Sequence, residues 1–125
     1  MLARVIDAIR GPVPLFVSLW EWPDPPEPAA LRLIELGASV LGLNCRPGAG
    51  SAVAFAERMG RAVRVPLLVK PGVGASPDEA MSPGALAAAV PQLLSRNVRL
   101  IGGCCGTNER HISAVASACS RFDRV

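Results

Sequence analysis

The sequence predicts an α/β chain: one N-terminal helix, then four βα units around a parallel sheet. Three observations predict it. Short apolar runs alternate with helix-length periodic segments, those runs are apolar on both faces, and Gly or Pro punctuates the junctions. Strands that bury both faces belong to parallel sheets covered by helices.

Residues 1–10, MLARVIDAIR, set charges between apolar residues at helical spacing. Val13–Leu19 reads as a buried strand, and Pro23-Asp24-Pro25-Pro26 as a rigid loop. Glu27–Leu36 has a helical pattern ended by Gly37. Ser39–Asn44 is the second strand, and a Gly-rich turn at 46–50 leads to a helix from about Ser51 to Gly60. Val63–Lys70 is the third strand, and the loop from Pro71 to Pro83 is the longest. Ala85–Arg96 is rich in Ala and Leu and helical, with Pro91 expected to kink it or mark its first turn. Val98–Ile101 is the fourth strand and residues 102–107, GGCCGT, a tight loop. Asn108–Phe122 is the last helix, with Asn108 or Thr107 as its N-cap.

With 125 residues, half of them apolar, the chain is expected to form a single domain over residues 1–125 with a real core. Two Trp, three Phe and no Tyr make that core aliphatic and argue against a stacking platform for nucleic acid. The net charge of +3 is scattered along the chain, with Lys70 the lone Lys, so no nucleic-acid footprint is expected. Pro or charge breaks every apolar stretch well before the ~18 residues a membrane span needs. The N-terminus lacks the apolar core of a signal peptide, so a cytoplasmic, reducing location is expected. There, four cysteines point to metal or catalysis rather than to disulfides.

Four βα units are half of an eightfold barrel, which takes about 250 residues. Four parallel strands form either an open sheet or half a barrel with two unpaired edges. Unpaired edges with apolar flanks are a liability that oligomerisation removes.

Three cysteines lie just past the ends of predicted strands: Cys45 after strand two, Cys104 and Cys105 after strand four. Parallel strands deliver their C-terminal ends to one face, where ligands gather. Three thiolates meeting there suit Zn²⁺ with one coordination position left open, the mark of a catalytic site. Gly102, Gly103 and Gly106 let the backbone turn sharply enough for adjacent ligands to reach one ion. The alternative is that each is an ordinary buried thiol acting as a small hydrophobe.

The segments Gly42-Leu43-Asn44-Cys45, Val69-Lys70-Pro71-Gly72-Val73-Gly74 and 102–112, GGCCGTNERHI, resemble the zinc-dependent homocysteine S-methyltransferase family. That family includes the homocysteine-binding module of methionine synthase and betaine–homocysteine methyltransferase. The match follows the second half of the family's barrel, strands five to eight. The resemblance therefore implies a (βα)₄ half of a TIM barrel with a preceding N-terminal helix, completed by oligomerisation. It implies Zn²⁺ held by Cys45, Cys104 and Cys105, with the sulfur of homocysteine or a related thiol as fourth ligand, and methyl transfer towards methionine. Family donors are methylcobalamin, betaine, S-methylmethionine and S-adenosylmethionine. The family's Asp-Gly-x-x-Gly-Thr segment is absent, and its Pro-Asn-x-Gly turn is here Pro71-Gly72-Val73-Gly74.

Four other residues are candidates for contacts behind the metal or with substrate. Asn44 precedes a ligand and either orients it or satisfies the turn. Lys70 ends a strand and faces either the site or solvent. Gly103 lies in the cysteine loop, and His111, one turn into the last helix, suits packing or capping as well. Cys119 is expected to pack, and Trp20 and Trp22 to line a donor pocket or cover the open barrel. Gly48 and Gly50 hint weakly at a phosphate turn. The expected partner is a second copy or a separate half-barrel chain. A rival reading is a non-catalytic zinc- or thiol-binding half-barrel, a subunit of a larger complex.

Overall fold

The computed structural model describes residues 2–9, 11–76 and 80–123. Helix α1 (Leu2–Ile9) precedes β1 (Leu15–Leu19), α2 (Glu27–Glu35), β2 (Ala38–Pro47), α3 (Gly48–Ala62), β3 (Leu67–Gly72), α4 (Pro83–Ser95), β4 (Val98–Ile101) and α5 (Glu109–Phe122). The strands form one sheet in the order β1-β2-β3-β4, every neighbouring pair parallel. The predicted α/β half-barrel architecture is therefore present, with β1 and β4 as open edges.

Local chemistry sets the helix ends. Pro28 occupies the first turn of α2, where a missing N–H costs nothing, and Gly37 follows its end at φ 109°. The Ser82 hydroxyl accepts from the Ala85 N–H and starts α4. Asn108 caps α5, its side chain accepting from the Arg110 N–H at 3.0 Å. Pro91 lies inside α4 rather than in its first turn, so it cannot donate to the Ala87 carbonyl.

One face of the sheet builds the main core. Val17, Leu41, Leu43, Leu67, Val69 and Val98 pack with Ala30, Leu33, Phe55 and Met59 of α2 and α3. A second cluster, Leu86, Val90, Val115 and Ala118, joins α4 to α5, and half-buried Ile101 touches both clusters. Alternation turns Phe16, Ser18, Val40, Asn44, Leu68 and Lys70 to the opposite, inner face. Trp22 closes the core near the β1 exit, donating its indole N–H to the Gly42 carbonyl at 2.9 Å, with its ring centroid 5.8 Å from that of Phe55. Arg58 of α3 clasps the start of α2, Nε donating to Glu27 at 2.8 Å. That hydrogen bond holds the exposed Glu27 carboxyl below its usual pKa, so its small contribution is lost as acid protonates it. No helix among the described residues is long and apolar enough to cross a membrane.

Boundaries differ from expectation where pairing and apolarity part company. β1 begins at Leu15, because Val13 and Pro14 are exposed. β3 begins at Leu67; Val63 is the C-cap of α3, and Pro66 has no N–H for a ladder. α3 starts at Gly48, three residues before the expected Ser51, straight from the strand end.

Candidate metal centre

The chemistry-bearing residues sit at the C-terminal end of the sheet. β2 leaves the β3 register between Asn44 and Pro47, and within that irregularity Cys45 adopts φ 62°, uncommon for a residue with a Cβ. The bulge re-aims the Cys45 thiol sideways across the end of β3. The exit of β3 then grips the cysteine loop through its main chain. The Cys104 N–H donates to the Pro71 carbonyl at 3.1 Å, and the Val73 N–H donates to the Cys105 carbonyl at 2.8 Å.

The loop is also pinned to itself. The Thr107 hydroxyl donates to the Cys104 carbonyl at 2.7 Å, and its N–H donates to the same oxygen at 3.1 Å. A Cβ on Gly103 would run into the Thr107 side chain, and one on Gly106, at φ 80°, would lie 2.9 Å from the Val73 Cβ. Gly103→Ala is therefore expected to lower Zn²⁺ affinity at least tenfold while thermal unfolding shifts little, as competition with a chromophoric chelator would read.

The three sulfurs are brought together. Sγ atoms of Cys45, Cys104 and Cys105 all lie within 4.8 Å of one another, and Cys45 to Cys105 is 3.5 Å. Tetrahedral Zn–S bonds of about 2.3 Å place sulfurs ~3.8 Å apart, so the donor set fits one thiophilic ion. Cys45 and Cys104 are nonetheless joined as a disulfide, with Cα atoms 5.2 Å apart, and only Cys105 of the trio is a free thiol. The three thiolates expected from the sequence are the reduced form of this cluster. Thiols close enough to share one ion are also close enough to bond each other, so ligation requires reduction.

The remaining candidates lie around this centre. Asn44 accepts from the Ser18 hydroxyl through Oδ1 at 2.7 Å, and it pairs in register with Lys70, whose stem lies against Gly102. His111 is buried at 5% exposure. Its Nδ1 accepts the Asn108 N–H at 3.2 Å, so Nε2 carries the proton and donates to the Met81 carbonyl at 2.8 Å. It caps α5 and ties the long loop to the helix, and it is not one of the clustered ligand groups. Cys119 packs against the α4–α5 cluster. Trp22 covers the core, whereas Trp20 stays 54% exposed with the Arg46 guanidinium 5.4 Å from its ring centroid. Ser18 and the clamping role of Thr107 escaped the sequence reading; strand alternation gave the signal for Ser18.

A cleft of about 320 Å³ adjoins the sulfurs, lined by Cys45, Pro47, Gly72, Val73 and Cys105 among others. Its walls are small and apolar apart from the sulfurs of Cys45 and Cys105. A larger groove of about 650 Å³ between α4 and α5 is lined by Ala87, Pro91 and Phe122 and lies away from this chemistry.

Comparison with known proteins agrees with this fold. The family model for homocysteine S-methyltransferase matches residues 24–119. The chain is 33% identical over 104 residues to methionine synthase of Mycobacterium tuberculosis, covering 77% of this chain and 9% of that protein. It is 33% identical over 101 residues to methionine synthase of Mycobacterium leprae, covering 74% and 8%. It thus spans less than a tenth of the length of these curated relatives. Crystal structures of the homocysteine methyltransferase MmuM from Escherichia coli share the fold. The oxidized form aligns at TM-score 0.72 and 24% identity, over 93% of this chain and 39% of that one. The metallated form aligns at TM-score 0.72 and 23% identity, with the same coverage. From the matched segment and the methionine synthase identity together, the chain belongs to the homocysteine S-methyltransferase family.

Proposed function

We propose that residues 1–125 form one half-barrel domain that holds Zn²⁺ through reduced Cys45, Cys104 and Cys105 and presents a homocysteine-type thiol for methylation to methionine. The observation that carries this is the meeting of three sulfurs within 4.8 Å, from the bulge near the end of β2 and the loop after β4. Bound there, Zn²⁺ supplies a lowered thiol pKa, so that a substrate sulfur is held as thiolate at neutral pH.

The chain's own residues do the positioning. Cys45, on its positive-φ bulge, and the pinned Cys104-Cys105 loop would hold the ion beside the cleft that adjoins the sulfurs. Asn44, held by Ser18, steadies the strand end that carries Cys45. Gly103 lets the cysteine loop close on Thr107, and His111 anchors the helix that follows it. In the transfer, the donor's methyl group forms a bond to the substrate sulfur, the donor leaves demethylated, and the thiol proton passes to solvent. This chemistry suits a reducing compartment such as the cytoplasm. Four further strands close the open edges, from a second copy or from a half-barrel of different sequence.

The test is to reduce the protein, load it with Zn²⁺ and add homocysteine with methylcobalamin, betaine, S-methylmethionine or S-adenosylmethionine in turn. Proton release on homocysteine binding and methionine formation with one donor, both lost in Cys105→Ser, are expected. Tight Zn²⁺ binding with neither proton release nor methionine overturns the transferase reading and leaves a non-catalytic zinc-binding subunit.

A further inference from the structure

The inner face of the sheet is open in part, with Val40 buried and Phe16 exposed, and its chemistry is one-sided. Phe16 is 49% exposed there, and Leu68 and Leu100 are half-buried. Near the start of β1, Leu2, Val5 and Ile9 of α1 are 38%, 48% and 55% exposed, with Ile6 of that helix buried. Apolar surface of this extent along one face and its edge marks an interface.

Among these apolar groups stands one cation. Lys70 points inward, its stem against Gly102, and no ion pair among the described residues includes it. Beside it, Asn44 has committed Oδ1 to the Ser18 hydroxyl, which leaves its amide N–H groups as donors. No inward-facing strand position carries a carboxylate.

We propose that this face and its two open edges receive a half-barrel of different sequence, which brings an inward-facing Asp or Glu to Lys70, rather than a second copy of this chain. The proposal rests on the half-barrel reading above. Lys70 is partly exposed, and covering the face takes its ammonium out of water. A buried ammonium left without a counter-charge is strongly disfavoured. A second copy makes matters worse. In an eight-stranded barrel closed by a two-fold axis, β3 of each copy lies across the axis from the other, and inward residues of alternate strands share a layer. The two Lys70 side chains then meet at the barrel centre with only Asn and Ser groups beside them, and like charges juxtaposed in an interface select against that pairing. A dissimilar half-barrel supplies the missing carboxylate and leaves the apolar contacts intact.

Sedimentation equilibrium on the reduced full chain tests this. The samples are wild type, Lys70→Met, Lys70→Glu and an equimolar mixture of wild type with Lys70→Glu. The mixture is expected to associate at least tenfold more tightly than wild type alone, because the introduced carboxylate meets Lys70 across the axis. Lys70→Met is expected to self-associate more tightly than wild type. Equal association in all samples, including none in any, overturns the proposal, as does a stable wild-type dimer that neither change strengthens. Circular dichroism verifies folding, and if Lys70→Glu fails to fold, the Lys70→Met comparison decides alone. Neither zinc nor turnover enters these measurements, so failure of the transferase reading and failure of this one are separable.

Discussion

Reduced protein is expected to bind one Zn²⁺ per chain, and Cys104→Ser to weaken that binding more than about 100-fold. Loss of a residue that merely orients a ligand costs ~10–100-fold, and loss of a ligand itself exceeds that. With three sulfurs in the set, each substitution leaves two donors and a geometry common metals hold poorly. Chelator competition under reducing conditions measures the affinity. The unreduced protein is expected to bind far less, since Cys45 and Cys104 are then spent on each other. Equal Zn²⁺ affinity in wild type and Cys104→Ser removes the metal centre.

Leu67→Ala is expected to destabilise the fold by about 2–5 kcal/mol, the range for emptying a fully buried aliphatic site. Leu67 is 0% exposed and lies between Leu41 and Val98 on neighbouring strands, so no flexible group stands ready to fill the space. For a chain this size that is a fall in Tm of roughly 8–20 °C. Thermal unfolding followed by circular dichroism reads it. Phe16→Ala, at an inner-face position 49% exposed, serves as the control and is expected to change Tm little.

The fold was legible because its strands are short apolar runs between breakers. Val98–Ile101 falls on the predicted residues, bounded by Asn97 at φ 66° and by Gly102. The misplaced starts of β1 and β3 arise because apolarity does not report pairing: Val13 is exposed, and Val63 is buried without joining the sheet. Gly48 and Gly50 looked like a turn, yet they lie in the first turn of α3. At the site, the meeting of Cys45 with Cys104 and Cys105 followed from their places at strand ends. The disulfide, the Ser18–Asn44 bond and the clamp of Thr107 on Cys104 did not, because each depends on where side chains land after the sheet has formed. Lys70 was readable as a strand-end cation, but its place beside Asn44 with no inward-facing carboxylate required the register of all four strands.

Strand order in space repeats strand order along the polypeptide, and this has a bearing on biogenesis. Each strand emerging from the ribosome finds its template already laid down by the one before, so the sheet grows by accretion from the N-terminal side. The paired thiols at 104 and 105 emerge after three strands have assembled, and Cys45 waits alone until they arrive. A metal held by all three sulfurs would therefore be captured only after β4 has docked.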